Sequence, residues 1–409
     1  MKQTIYRANY SILHNIIHSV FNDDKFANKI LDKEFRVNKK LGARDRRFLA
    51  VNAYNIVRWW RKILVSCNLY DTHFQTGEFL TDKNIEYILA SWFTINGWVL
   101  PEFLSSFAGA GEKSHRRWKR ADFDFATKHS LCDFFACKLV ELFGDEAAKV
   151  AEDLNKQANI YLRYNTSLVE PMQLINELKE EEVEVVPVDD MPSCLRLVER
   201  KNLFITKAFK KGYFEVQDKG SQMIAPALDV KPGMKVVDAC AGAGGKSLHI
   251  SDLMNNKGKI VSLDIHAWKL KELKLRARRN KSSIIETRHI DNSKVTKRLK
   301  GYADRLLLDV PCTGSGVIKR NPDSKWKFSQ EKLDELVVTQ NDIIERYSKM
   351  VNEKGKMVYA TCSVFPEENS GVITTFLKNN KDWQIESEEN ILPHKFNSDG
   401  FYHATLSRK

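Results

Sequence analysis

The apolar positions of the chain fall into three textures. From residue 1 to about 145 they recur at helical spacing, as in Ile12, Ile16, Ile17, Val20 and Phe21, and again in Phe48, Leu49, Val51, Ile56 and Val57. Pro101 is the single proline of that stretch, so a helical domain is expected there. From about 146 to 212, Ile160–Tyr164 and Val183–Val188 predict short strands flanking a helix over Pro171–Glu182, with Leu203–Thr206 following. This reads as a small α/β connector, unlike its neighbours in texture and not expected to hold chemistry. From Gly212 onward, strand-like runs at Val236–Val237, Ile260–Leu263, Ile284–Ile290, Leu306–Leu308 and Met357–Tyr359 alternate with helical patterns. Such alternation predicts a mostly parallel sheet with helices on both faces. The expected domains are thus 1–145, 146–212 and 213–409.

Composition narrows the class. The chain has 409 residues, 43% hydrophobic and 29% charged, which describes an ordinary globular protein with room for two or three cores. The greasiest stretch, Ile85 to Phe107, is interrupted by Asn96, Gly97 and Pro101 and reads as buried helix rather than a membrane span. The N-terminus lacks the apolar block of a signal peptide. Seven cysteines with no C-x-x-C pair suit neither a disulfide framework nor a metal site, and the cytoplasm is the expected compartment. Cys132 and Cys137 are expected in the core.

Charge adds a hint about partners. Lys and Arg outnumber Asp and Glu by 23 to 17 over residues 1–149 and 33 to 25 over 213–409, but not over 150–212, where they stand 9 to 11. Basic and aromatic residues interleave at Arg44-Asp45-Arg46-Arg47, Arg58-Trp59-Trp60-Arg61-Lys62 and Arg116-Arg117-Trp118-Lys119-Arg120. Two readings stand side by side: RNA contact through phosphates and stacking, or a helix bundle with solvated basic faces and core tryptophans.

The chemistry is expected just past the carboxyl ends of the strands, where such sheets bind ligands. The first strand ends in Asp238 and the loop Cys240-Ala241-Gly242-Ala243-Gly244-Gly245-Lys246. A P-loop is excluded because Cys240 stands where its first glycine belongs, and the dinucleotide pattern fails at Ser247. The second strand ends in Asp264, the third near Asp291 and the fourth in Asp309. Three carboxylates at successive strand ends suit a ligand with ribose, adenine amine and cationic groups but no phosphate, which describes S-adenosylmethionine. Cys312 and Cys362 each follow a strand end, and that pairing favours thiol chemistry. Methylation of cytosine at carbon 5 requires it: the carbon is not nucleophilic until a thiolate adds at carbon 6.

Three segments carry a family resemblance. They are Asp238-Ala239-Cys240-Ala241-Gly242-Ala243-Gly244-Gly245-Lys246, Asp309-Val310-Pro311-Cys312-Thr313-Gly314-Ser315-Gly316 and Ala360-Thr361-Cys362-Ser363-Val364-Phe365-Pro366-Glu367-Glu368-Asn369. With Tyr213-Phe214-Glu215-Val216-Gln217-Asp218 before them, they resemble the Nop/Sun (Fmu-type) RNA cytosine-5 methyltransferases over residues 150 to 409. The first third is similar, through Arg44-Asp45-Arg46-Arg47-Phe48 and the Val57-Arg58 segment, to the NusB-like domain of the bacterial 16S rRNA methyltransferase B branch. The resemblance implies a Rossmann-like S-adenosylmethionine-dependent methyltransferase sheet, an N-terminal all-α NusB-like domain and the small α/β connector. It implies Cys362 as nucleophile, Cys312 as the thiol that helps release product, and Asp309 as the group holding the cytosine. Residues Cys240, Ala241, Gly242, Ala243, Gly244, Gly245, Lys246, Asp264, Asp291 and Asp309 would line the cofactor, with Lys246 also facing the base. The segment Ile318-Lys319-Arg320-Asn321-Pro322-Asp323 would meet RNA, and no further RNA-binding domain is expected after Lys409. The family usually has Ala-Pro where this chain has Gly242-Ala243, so the loop lacks the stiffness of a proline.

The partner implied is small-subunit rRNA, with tRNA as the alternative, no membrane, and a monomer as the default. A methyltransferase for small molecules or proteins would need neither paired cysteines nor a basic helical domain. A non-catalytic assembly factor would have no use for Cys362 and Asp309. A DNA cytosine methyltransferase would attack from the position of Cys312 alone.

Overall fold

The computed structural model describes residues 4–75 and 78–409. The chain divides into two compact units, Met1–Lys156 with Ile318–Ser329, and Gln157–Val317 with Gln330–Lys409. This differs from the expected division in two places. Residues 157–212 share a compact unit with the large sheet, and a twelve-residue segment of the third region belongs to the helical unit.

The helical unit contains Arg7–Phe21, Ala27–Val37, Ala43–Arg58, Trp60–Cys67, Asp82–Ile95, Ala108–Trp118, Asp133–Phe143 and Ala147–Leu154. Leu13, Ile16, Ile17, Leu49, Ile56, Ile88 and Phe93 pack in one core, each burial stabilising by about 1.5–3 kcal/mol. Val51, grouped with the apolar face in sequence, is exposed instead. Thr81 caps the helix Asp82–Ile95 by accepting from the Asn84 N–H at 3.2 Å. That helix stops at Asn96 and Gly97, so the greasy stretch is one helix and a separate 3₁₀ turn, Glu102–Phe107.

The cluster at residues 58–62 faces inward. Trp60 is fully buried and stacks on Phe21 with centroids 3.6 Å apart. Arg61 donates to the Leu131 carbonyl at 3.1 Å and to the Asp133 carboxylate at 2.5 Å. Its charge is spent inside the protein, and the phosphate-contact reading fails for this cluster, whereas Arg44, Arg47, Arg116 and Lys119 stay exposed. Cys137, expected in the core, is exposed, because Phe135, Ala136 and Leu139 define the buried face of its helix.

The segment 318–329 corrects another expectation. Lys319 is buried and donates to Asp153 at 2.5 Å, the Arg58 guanidinium donates to the Lys319 carbonyl at 2.8 Å, and Asp323 accepts from the Ala27 N–H at 2.8 Å. Lys325 is fully buried and donates to the Arg58 carbonyl at 2.7 Å and Asn155 Oδ1 at 2.8 Å. Lys319, Asp323 and Lys325 are thus buried and engaged within the helical unit rather than presented to RNA.

The second unit holds eleven strands: β1 Tyr161–Tyr164, β2 Val185–Pro187, β3 Cys194–Leu197, β4 Phe214–Val216, β5 Lys235–Asp238, β6 Lys259–Asp264, β7 Ile285–His289, β8 Ala303–Asp309, β9 Val351–Thr361, β10 Trp383–Ile391 and β11 Phe401–Arg408. The first four form an antiparallel sheet in the order β2-β3-β1-β4. Helix Pro171–Glu180 lies between β1 and β2 in sequence, while Leu203–Ile205 is a 3₁₀ turn. The others form a seven-stranded sheet ordered β10-β11-β9-β8-β5-β6-β7. Its five strands β5 to β9 pair parallel, and β11 adds antiparallel to β9, with β10 antiparallel at the edge. β5, β6 and β8 are buried along nearly their whole length because helices cover both faces. The edge strand β10 carries exposed Glu386 and Glu388, which discourages pairing with another chain. The chain order reverses at β5, between β6 and β8, so the carboxyl ends of β5, β6, β8 and β9 open on one crevice. Among the described residues, no helix is long and apolar enough to cross a membrane.

Candidate active site

The turn after β5 places its backbone toward the crevice. Asp238 ends the strand fully buried, with Oδ2 accepting from Ser247 Oγ at 2.6 Å, and Ser247 also meets Ser262 Oγ at 2.9 Å. The loop then passes through Gly242 at φ +55° and Gly244 at φ +85° into the helix Gly245–Leu253. Asp264, at the end of β6, accepts from the Gly242 N–H at 2.9 Å and the His266 N–H at 2.7 Å, which pins the loop to the neighbouring strand end.

Burial pushes the Asp238 carboxyl up to about 7, against the opposing pull of its Ser247 hydrogen bond. An unfolded aspartate titrates near about 3.9, so the folded protein keeps a proton there that the unfolded chain has released. The stabilising contribution is complete below about pH 4 and is lost as pH rises through about 7. That shift corresponds to about 4 kcal/mol. Asp238→Asn is therefore expected to flatten the decline of stability between pH 4 and 7, read as urea midpoints over that range. Parallel midpoint curves for the two proteins would contradict it.

Across the crevice, Lys246 donates to Asp309 Oδ2 at 2.6 Å. Burial alone would lower the Lys246 pKa, but the Asp309 carboxylate outweighs it and the net shift is upward, with the charge of Cys362 adding to it. The Lys246 ammonium also lies 5.5 Å from the centroid of Phe401, on β11. Cys312 follows β8, Cys362 follows β9, and their sulfurs stand 3.3 Å apart. The hydrogen bond with Cys362, together with burial, pushes the Cys312 thiol well up.

The two cysteine loops are fixed by the segment after Cys362. Glu368 is fully buried and accepts from the Thr313 N–H at 2.8 Å, from Thr313 Oγ1 at 2.6 Å and from Gln340 Nε2 at 2.9 Å. Asn369 accepts from Thr361 Oγ1 at 2.5 Å and donates to the Ser363 carbonyl at 3.1 Å. Gly316 N–H donates to the Cys362 carbonyl at 3.0 Å, and the Gly316 carbonyl accepts from Gly400 at 2.8 Å. A Cβ on Gly316 would come within 2.2 Å of the Gly400 carbonyl oxygen, so only glycine permits this approach.

The structure thus gathers the loop 240–246, Asp264, Asp309, Cys312 and Cys362 around one crevice. Asp291 lies beyond β7 with its side chain exposed, accepting from Asn292 Nδ2 at 2.7 Å, and shares no hydrogen bond with the other site residues among those described. Sequence reasoning assigned no role to Glu368, Asn369 or Phe401. A Pro-Glu-Glu-Asn run gives no sign that one carboxylate is buried, and β11 was not foreseen.

The arrangement fits S-adenosylmethionine. The Oδ1 atom of Asp238 is buried without a hydrogen-bond partner, an acceptor suited to an amine. A Cβ built on Gly242 meets nothing within 4 Å, so the loop leaves open space on that side. The acceptors Asp264 and Asp309 suit hydroxyl, amine and cationic groups rather than phosphate.

Comparison with known proteins agrees with this geometry. Residues 225–407 match the family described as 16S rRNA methyltransferase RsmB/F, and residues 133–203 match the ferredoxin-like domain of RsmF/B-like methyltransferases. A probable ribosomal RNA small subunit methyltransferase B of Bacillus subtilis is 31% identical over 303 residues, covering 69% of this chain and 68% of that one. The matched stretches span 61 to 68% of the curated relatives' length. A methyltransferase homologue from Pyrococcus horikoshii has a TM-score of 0.62 at 25% identity, covering 70% of this chain and 98% of that one. NSun6 from the same organism, solved with SFG, has a TM-score of 0.60 at 22% identity over 66% of this chain and 96% of its own, a likeness of fold. The cofactor is S-adenosylmethionine. By its sequence motifs, its sheet and these relatives, the chain belongs to the RsmB/F methyltransferase family.

Proposed function

We propose that this protein methylates carbon 5 of a cytosine in 16S rRNA, with Cys362 as nucleophile. The observation that carries the reading is the pair of sulfurs 3.3 Å apart, on adjacent parallel strand ends beside the Lys246–Asp309 pair. A methyltransferase acting on a nucleophilic atom needs no thiol; one acting at carbon 5 of cytosine does.

The Cys362 thiolate adds to carbon 6 of the ring, and the electron pair displaced from the carbon 5–carbon 6 double bond makes carbon 5 nucleophilic. Bound at the loop 240–246, S-adenosylmethionine supplies an electrophilic methyl group. Asp309 holds the ring nitrogen and exocyclic amine, and Lys246 fixes the Asp309 carboxylate and offsets negative charge near Cys362. Methyl transfer releases S-adenosylhomocysteine; solvent water then takes the carbon 5 proton, the C–H electron pair reforms the carbon 5–carbon 6 double bond, and the sulfur–carbon bond breaks with its pair returning to Cys362 as thiolate. The hydrogen bond with Cys362 and burial push the Cys312 thiol well up, so the attack is assigned to Cys362 rather than to Cys312. A thiolate reaches carbon 6 only in an unpaired or flipped base.

Bisulfite sequencing of total RNA from cells with and without the protein tests the reading. A cytosine of 16S rRNA protected only when the protein is present is expected; identical maps would overturn it. RNA binding is expected to weaken about tenfold or more between 50 and 200 mM salt, through exposed cations such as Arg44, Arg47, Lys271 and Lys274. A flat salt titration by filter binding would contradict phosphate contact.

A further inference from the structure

We propose that Glu215, on the small sheet, is a positioning residue for the cofactor loop and acts through Arg276. The proposal rests on S-adenosylmethionine binding at that loop. Glu215 lies in β4 and is buried. Its Oε2 accepts from Arg276 Nε at 3.2 Å and Nη2 at 2.8 Å, while Oε1 accepts from Arg279 and from Asn280 Nδ2 at 2.5 Å. The remaining nitrogen of Arg276, Nη1, donates to the carbonyl of Ala243 at 2.8 Å, in the middle of the cofactor loop. One guanidinium therefore joins a buried carboxylate of the small sheet to the loop backbone.

The loop needs such support. It holds three glycines in the four positions 242–245 and no proline, so little in its own sequence fixes its path. Asp264 pins it at Gly242 and Arg276 at Ala243. The helix Ala267–Arg279 also presses Leu273 beneath Gly244, where a Cβ would come within 2.3 Å of Leu273 Cγ. Among the described residues the other hydrogen bonds of the Arg276 guanidinium go to Glu215, so the carboxylate sets the plane that aims Nη1 at Ala243, since a planar fork orients one bond by the others it makes. Burial would push the Glu215 carboxyl up, but its two arginines hold it below the usual range and so ionised. Arg279 reaches the same carboxylate and, among the described residues, has no hydrogen bond to the loop, which separates cofactor positioning from simple anchoring of the helix.

The test is calorimetric binding of S-adenosylmethionine and of sinefungin to the full-length wild type and to Glu215→Gln, Arg276→Met and Arg279→Met, with thermal melts of each protein with and without ligand. Glu215→Gln and Arg276→Met are expected to weaken cofactor binding about tenfold and to shrink the ligand-induced rise in melting temperature, because a disordered loop must be ordered on binding. RNA affinity should stay within about twofold, as should cofactor affinity in Arg279→Met even where its melting temperature falls. Equal losses of cofactor affinity in Arg276→Met and Arg279→Met would overturn the proposal, as would unchanged affinity in Glu215→Gln. Failure of the wild type to bind either ligand would instead overturn the cofactor assignment.

Discussion

Replacing Cys362 by alanine is expected to abolish methyl transfer, by about 10⁴-fold or more, while cofactor binding stays within about twofold of the wild type. The size follows from the chemistry: without a sulfur adding at carbon 6, carbon 5 has no electron pair to offer. The other groups of the site cannot replace it. Lys246 is committed to Asp309 at 2.6 Å, and the Cys312 thiol is pushed well up by its hydrogen bond to Cys362 and by burial. Cofactor binding should survive because Cys362 makes no hydrogen bond with the loop 240–246; its sulfur meets Cys312 and its carbonyl meets Gly316. Single-turnover transfer of a labelled methyl group, with cofactor titration alongside, measures both halves. Transfer within tenfold of wild type would assign the nucleophile elsewhere.

Replacing Cys312 by alanine is expected to do the opposite: a protein–RNA adduct accumulates that survives denaturation. The Cys312 sulfur stands 3.3 Å from the attacking sulfur, near enough to serve the steps that follow methylation. Attack would proceed without it; loss of the carbon 5 proton and departure of Cys362 would not. On a denaturing gel the variant should retain a substantial fraction of RNA, where the wild type retains little. An inert Cys312→Ala with an adduct trapped by Cys362→Ala would reverse the two roles.

Much of this site was legible because its pieces lie next to strand ends. The runs at Val236–Val237, Ile260–Leu263, Leu306–Leu308 and Met357–Tyr359 became β5, β6, β8 and β9, and the residues after them met in one crevice. Their apolar continuity is a local signal, and a parallel sheet turns it into a shared edge. β10 and β11 escaped notice because Glu386, Glu388, His403 and Thr405 break the apolar pattern, while pairing of β11 with β9 and of β10 with β11 decides their state. Likewise β3 and β4 are only four and three residues long, too short for a period to show. Buried charges were the least legible of all. Lys319 and Lys325 look like a basic surface in sequence, and only the fold reveals that Asp153 and Asn155 receive them. The same holds for Glu215, whose partners lie 61 to 65 residues away.

The central claim is a bond between one sulfur and one ring carbon. Wild-type protein reacted with S-adenosylmethionine and an RNA bearing 5-fluorocytosine at the target site should form a stable adduct, since fluorine cannot leave as a proton does. Digestion and mass spectrometry should then place the nucleotide on the peptide containing Cys362. A nucleotide found on the Cys312 peptide, or no adduct with an RNA whose unmodified form is methylated, would contradict it.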